Sequence, residues 1–290
     1  MKRKPAFFPL YIGFILLIMY IPIILVIVYS FNQSRLSSVW SGFTLSWYGE
    51  LFRDRTMFEG LRTSLILGIL SSTLAAALGT LGASGMAKVK AASASANATA
   101  NASAFAGANS AAPRSTPAFS GGSFHKIMEY LSILPIMVPE IIMGMIFLAI
   151  FSLLSLPAGM FTLVIAHTAF CIPYPYLLVR ARLAGLDKSY TEAARIMGAG
   201  DLRAFCDITL PLVLPAVISG MLISFAMSFD DVIVSSFVAG VDTNTLPMII
   251  YSRLKAGVTP KTNAMCSLLF VFTVILCLAA VFLARRREKK

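Results

Sequence analysis

Several apolar runs in this chain are long enough to cross a bilayer, and they constrain its fold more than any other feature. A helix needs about 18–20 consecutive apolar residues to cross the hydrocarbon core of a membrane. Runs of that length recur between residues 10 and 284. Charged residues make up 13% of the 290 residues, about half their share in a soluble domain. The sequence therefore predicts an all-α polytopic membrane protein.

Six membrane spans are predicted. They cover residues 10–29, 63–87, 127–156, 157–179, 212–238 and 263–284. We expect Pro22 to be a tolerated kink in the first span, and Pro135 and Pro139 to interrupt the third. The second span is rich in Gly, Ala and Ser, which favour close packing of helices in membranes. Between residues 30 and 62, a region with Trp and Tyr, a short helix at the membrane surface is expected.

The distribution of basic residues predicts that both termini are cytoplasmic. With the amino terminus inside, three Lys or Arg residues precede the first span and four lie between the second and third. Five more lie between the fourth and fifth spans, and five follow the sixth, so that seventeen of the 24 are cytoplasmic. This agrees with the positive-inside rule. It also explains the net charge of +11 without nucleic acid.

The segment 88–124 differs in composition from the rest of the chain. It is a low-complexity stretch of Ala, Ser and Asn with little to bury, and such stretches are usually disordered. We predict a flexible cytoplasmic linker within a single transmembrane domain, residues 1–290, whose core spans lie within 63–284. A second cytoplasmic element, residues 189–211, is strongly polar.

The polar segment 189–211 carries helix start and stop signals. Ser189 and Glu192 fit a capping box, which predicts a helix over residues 190–197. Gly198 and Gly200 then allow a turn. Asp201 can cap a second helix, over residues 202–208. The residues alone leave open whether this helix–turn–helix is a docking element or an ordinary amphipathic connector.

The spacing of this segment resembles the EAA motif of the membrane subunits of ABC importers. The matching residues are Glu192, Ala193, Ala194, Gly198, Ile208, Leu210 and Pro211. In that family the loop fits a groove on the ATP-hydrolysing subunit. The resemblance implies that the small alanines allow close approach there, and that Glu192 and Arg195 make charged contacts.

A second resemblance is to the spermidine/putrescine permeases of the PotC type. It rests on residues 228–240, SFDDVIVSSFVAG, and on shorter stretches such as Trp47-Tyr48 and Leu246-Pro247. It covers nearly all of the chain except 88–124, where that family has a short basic and aromatic loop. The resemblance implies a type I ABC importer permease fold in a bacterial inner membrane. It also implies three protein partners: an ATPase homodimer that binds ATP and Mg, a second permease, and an extracytoplasmic binding protein.

Acidic residues inside membrane spans are costly and usually face a cavity or a partner. On a continuous helix, Ser224, Ser228, Asp231 and Ser235 would form one polar stripe. We therefore predict that Asp231 faces the substrate path. Asp230 would point about 100° away and pair with a donor in a neighbouring helix or subunit. A purely structural role for both aspartates stays open.

Glu140 is a further candidate for the substrate path. It follows Pro139 at a predicted kink and shares a face with aromatic residues, which suits a polycation through charge pairing and cation–π contact. A role in helix packing is equally compatible. His167, inside a span, is predicted to be a hydrogen-bonded packing residue rather than a ligand. The four cysteines are far apart without a CxxC pair, so no metal site is predicted.

No catalytic constellation or Walker A loop is visible, so the chain is expected to bind no cofactor and to depend on a partner for ATP hydrolysis. An ABC permease for sulfate, molybdate, ferric ion or thiamine remains an alternative within transport. A channel or secondary transporter is a second alternative, although no inverted repeat is visible. A membrane scaffold is a third, which the docking motif disfavours.

Overall fold

The computed structural model describes residues 7–35, 39–106, 121–187 and 189–288. Within them the fold is all-α, as predicted, apart from an isolated antiparallel bridge between Asn32 and Phe43. A π-helical segment covers Phe205–Thr209. The α-helices are α1 (Phe7–Tyr29), α2 (Ser46–Leu51), α3 (Arg55–Ala106), α4 (Gly121–Met137), α5 (Glu140–Leu153), α6 (Met160–Cys171), α7 (Pro173–Ala184), α8 (Ser189–Ile196), α9 (Asp201–Ala204), α10 (Leu210–Asp230), α11 (Ile233–Val238), α12 (Leu246–Ala256) and α13 (Pro260–Glu288).

Four helical stretches in the described part of the chain are long and apolar enough to cross a membrane. They are Tyr11–Tyr29, Arg55–Val89, Met160–Ala184 and Asp201–Asp230. The bent pair Ile127–Met137 and Glu140–Leu153 makes a fifth if it counts as one span. Helix α13 is apolar over Pro260–Ile275. Six spans with cytoplasmic termini stay a prediction, because helix length and composition do not determine which side each end faces.

Helix α3 corrects the prediction of a flexible segment at 88–124. The helix runs to Ala106, well past the expected end of the second span, and α4 already begins at Gly121. Alanine has the highest helix propensity, and extending an existing helix avoids the cost of a new nucleus. An alanine-rich continuation of α3 is therefore expected to stay helical on propensity alone. The middle of the predicted linker, 107–120, lies outside the described residues.

Two predicted spans are broken. Helices α4 and α5 meet at a bend of 108°, sharper than the predicted kink. The break lies at Pro139, which cannot donate a backbone hydrogen bond and restricts the residue before it. The fifth span, predicted to be continuous over 212–238, ends at Asp230 because Asp231 has extended backbone with ψ 131°. A separate helix, α11, then follows.

Residues 1–63 and 244–290 form one compact unit. Its described core consists of Trp47, Leu51, Met57, Leu246, Ile250, Ala264 and Met265. Helix α2, which contains Trp47, is the short helix expected between residues 30 and 62, and the Trp47 indole donates to the Asn32 carbonyl at 2.8 Å. The carboxylate of Asp54 lies 2.8 Å from Arg253 and 3.2 Å from Lys261. These charge pairs connect the start of α3 to α12 and α13.

Residues 64–243 form the second compact unit. In it α7 packs along α10. A methyl group at Gly220 would lie 2.4 Å from the Pro175 Cα, and one at Gly79 would lie 2.9 Å from the Tyr176 nitrogen. Both glycines therefore let two backbones approach closely. At Gly79 this agrees with the close packing predicted for the second span.

Candidate functional site

The segment predicted to dock an ATPase folds as a short helix followed by a tight turn. Helix α8 ends at Ile196, and Gly198 N–H and Ala199 N–H donate to the carbonyls of Arg195 and Ala194, both at 3.0 Å. Gly198 has φ +84°, in the left-handed region that favours glycine. The glycine of the motif is thus required by the turn itself.

The two helix starts in this loop differ from the predictions. Ser189 is the first residue of α8 rather than its N-cap, and its N–H donates to Asp187 Oδ1 at 2.9 Å. That backbone hydrogen bond lowers the pKa of Asp187. Gly200, not Asp201, precedes α9. Asp201 instead accepts from Arg195 at 3.1 Å and from Lys88 at 3.4 Å.

The last part of the motif lies at the junction with the next span. The predicted second helix does not stop before this span, because α9, the π-helical segment and α10 are continuous. Ile208 lies in the π-helical segment, and Pro211 is the second residue of α10. Leu210 packs against the buried cluster of Ala83, Tyr176, Val179 and Val213.

The loop also presents apolar side chains that the sequence analysis did not single out. Ile196 is 87% exposed, Met197 79% and Leu202 78%. The sequence feature that could have identified this surface is the presence of three large apolar residues inside a polar segment. The motif residues Glu192, Ala193 and Arg195 are exposed as well. Exposed apolar residues bordered by charges are typical of a surface that a partner covers.

A cavity of about 690 Å³ lies beneath this loop. Its lining comes from residues 84–88 of α3, the end of α7, the start of α10 and the loop. The ion pairs of Asp201 lie at its edge and are more than half exposed, and such pairs contribute little stability. These ion pairs therefore do little to hold the loop against α3.

The second candidate site is a buried hydrogen-bond network. His167 is fully buried, with Nδ1 2.8 Å from Ser228 Oγ and Nε2 3.0 Å from Ser235 Oγ. Ser235 Oγ donates to Asp231 Oδ2 at 2.7 Å, and Ser71 Oγ donates to Ser228 Oγ at 2.9 Å. We call these five residues the His167 network. The prediction that His167 is a hydrogen-bonded packing residue is confirmed, whereas Ser71 was missed because nothing local distinguishes it.

Asp231 lies at the helix break, so its orientation does not follow helical periodicity. Its Oδ1 accepts from Val234 N–H at 3.1 Å, and its Oδ2 accepts from Ser235 N–H at 2.7 Å. The carboxylate therefore satisfies amides in the first turn of α11. The side chain is 5% exposed, and Oδ2 is 3.4 Å from His167 Nε2.

The serines of the predicted polar stripe are packed inside the second compact unit, residues 64–243. Ser224, Ser228 and Ser235 are buried, and Ser224 Oγ donates to the Cys171 carbonyl at 3.1 Å. Asp230, at the end of α10, is exposed. The structure thus brings Ser228, Asp231 and Ser235 together around His167, packs Ser224 against Cys171, and leaves Asp230 on the surface. Their roles in transport stay predictions.

Glu140 stands apart from the His167 network. It is the first residue of α5, directly after Pro139, and it is exposed. Helix α5 packs on α11 at Gly144, where a methyl group would lie 2.5 Å from the Phe237 ring. Both exposed acidic candidates, Glu140 and Asp230, therefore lie at helix breaks, and the role of Glu140 in transport also stays a prediction.

Comparison with known proteins identifies the family. The model of the binding-protein-dependent transport system inner membrane component matches residues 103–290. The chain belongs to this family. It is a multi-pass membrane protein and a permease component of an ABC transport system. The matched region includes residues 189–211, which we call the docking loop after its predicted role, and all of the His167 network except Ser71.

Two relatives of this permease are from Escherichia coli K12. The putrescine transport system permease PotI is 34% identical over 287 residues, which are 97% of this chain and 91% of PotI. The spermidine/putrescine transport system permease PotC is 34% identical over 271 residues, which are 93% of this chain and 91% of PotC. Both alignments extend over the docking loop and the breaks described above.

The fold of the permease also matches a solved transporter. That structure is a bacterial alginate ABC transporter in complex with an alginate pentasaccharide-bound periplasmic protein. The TM-score is 0.67, with 98% of this chain and 94% of the other covered, at 16% identity. The match supports the ABC permease fold.

Proposed function

We propose that the chain is a permease subunit of an ATP-driven ABC importer and forms the translocation path for polyamines such as spermidine and putrescine. The observation that carries this proposal is the 34% identity to PotI and PotC along nearly the whole chain. The exposed acidic residues at helix breaks suit a solute with several positive charges.

The docking loop would couple the permease to an ATPase dimer. Glu192 and Arg195 would make charged contacts, while Ile196, Met197 and Leu202 would become buried in the interface. The ATPase would bind ATP and Mg, so that this chain holds no cofactor and carries out no covalent chemistry. Movement of the loop would be transmitted through the continuous α9–α10 segment to the break at Asp231.

A second permease subunit and an extracytoplasmic binding protein would complete the importer. Solute would pass from the binding protein into a path between the two permeases. Six spans with cytoplasmic termini in a bacterial plasma membrane would place α8 beside the ATPase. The alginate transporter, whose structure includes its periplasmic protein, supports the binding-protein partner.

Within the path, Asp230 and Glu140 would neutralise the ammonium groups of the polyamine. Acidic side chains at membrane depth are retained where they face a cavity or a cation. Asp231 and the three serines of the predicted stripe would form the wall behind Asp230. The pairing of Asp230 with a donor in a neighbouring subunit would hold while no solute is present.

The test is uptake of labelled spermidine by the complete complex in proteoliposomes, with the binding protein outside and ATP on the ATPase side. We expect ATP-dependent uptake that unlabelled putrescine competes and sulfate or thiamine does not. Competition by sulfate or thiamine would assign another solute. Uptake that needs no ATP would indicate a channel or secondary transporter.

A further inference from the structure

The two neighbouring aspartates after α10 have opposite environments. Asp230 is exposed, whereas the side chain of Asp231 is 5% exposed. Asp231 accepts two backbone N–H groups of α11 and the Ser235 hydroxyl, all within 3.1 Å. A carboxylate whose oxygens are used in this way has little capacity left for a solute.

The His167 network connects this break to another helix. Because the Ser235 hydroxyl donates its hydrogen to Asp231, it must accept from His167 Nε2. With a neutral imidazole, Nδ1 then accepts from Ser228, which in turn accepts from Ser71. The chain of hydrogen bonds runs from α3 through α10 and α6 to α11. Breaking one link leaves buried polar groups unpaired, which is costly.

We infer that Asp231 is a positioning residue rather than a solute ligand: with His167 and Ser235 it clamps the break between α10 and α11 and holds Asp230 at the exposed end of α10. The inference rests on the proposed function, because it requires that Asp230 contacts the solute. Asp230 is the last residue before the break. The direction of its side chain therefore depends on how the next residue is held.

Ser235 is the residue through which the clamp is best tested, and Ser236 supplies its control. Ser235 is buried and bonds both His167 and Asp231, whereas the exposed Ser236 bonds only the Val232 carbonyl among the hydrogen bonds described for it. We expect Ser235→Ala to lower the maximal rate of ATP-driven uptake about tenfold, the effect of losing a hydrogen bond to a charged group. Ser236→Ala should leave it unchanged. An unaffected Ser235→Ala overturns the inference.

A double-mutant cycle separates positioning from a general structural role. If the clamp acts by placing Asp230, Ser235→Ala should cause no further loss in a chain that already carries Asp230→Asn. Ser235→Thr, which retains the hydroxyl, should restore uptake. A full additional loss from Ser235→Ala in the Asp230→Asn chain, or no effect of Asp230→Asn alone, overturns the inference. All rates are normalised to the amount of assembled complex.

A solute-independent measurement distinguishes failure of this inference from failure of the proposed function. Wild-type complex that takes up no polyamine rejects the proposed function only. The clamp is then tested by the rate at which a charged thiol reagent modifies Asp230→Cys, after subtraction of labelling in the unsubstituted chain. We expect Ser235→Ala to change this rate at least about threefold, within the range of network couplings, and Ser236→Ala to leave it unchanged. Equal rates in both overturn the clamp.

Discussion

Ile196 at the tip of the docking loop should contribute strongly to binding of the ATPase. It is 87% exposed, so nearly all of its side chain is available to be buried by a partner. Full burial of such a side chain contributes about 1.5–3 kcal/mol. At about 1.4 kcal/mol per tenfold, Ile196→Ser should therefore weaken the Kd for the ATPase about 10- to 100-fold.

The assay is titration of purified ATPase onto the permease pair in nanodiscs. Val241→Ser is the matched control, because Val241 is 93% exposed and lies outside the loop. Its substitution should leave the Kd unchanged. If Ile196→Ser binds the ATPase as tightly as wild type, the apolar tip is not in the interface. Equal weakening by both substitutions would instead show a nonspecific loss of apolar surface.

Three further predictions concern the backbone and one charge cluster. Gly198→Ala should weaken ATPase binding about fivefold, because a residue with a Cβ in the left-handed region costs about 1 kcal/mol. Gly200→Ala is the control and should bind the ATPase normally, because Gly200 has φ −66°. Gly220→Ala should lower the melting temperature of the purified protein, because its Cβ would lie 2.4 Å from a backbone atom; Gly13→Ala, with nothing within 4 Å, should not. Burial raises the pKa of Asp54, but its two cationic partners outweigh burial and hold the pKa below its usual value. Its stabilisation is therefore complete above the unfolded pKa of about 4 and is lost as pH falls through the lowered folded value. On acidification, the melting temperature of Asp54→Asn should therefore fall less than that of the unsubstituted protein, because the contribution of the Asp54 carboxylate is absent. An identical fall in both proteins would contradict this prediction.

The docking loop was largely predictable because its signals are local. Motif spacing located α8, the glycine turn and the proline that opens α10, and the structure contains all three. Both predicted caps were wrong by one position, because Ser189 and Asp201 are the first residues of their helices rather than the residues before them. The exposed tip was missed because exposure depends on what the rest of the chain covers.

The predicted stripe on the fifth span shows where periodicity was insufficient. A continuous helix was assumed through Asp231, and the four polar residues then shared one face. In the structure the helix stops at Asp230, yet Ser228, Asp231 and Ser235 still lie together. They do so because His167 on α6 bonds Ser228 and Ser235. That partner is more than sixty positions away in sequence.

By itself the sequence determined that the chain is helical and membrane-embedded, and that a glycine turn follows the short polar helix. Those properties follow from the length of apolar runs and from the spacing of residues close in sequence. Only the tertiary structure decided that Asp231 is buried and Asp230 exposed. The reason is that a buried carboxylate must find donors. Two are amides of α11, and the third, the Ser235 hydroxyl, also bonds His167 of α6, which is distant in sequence.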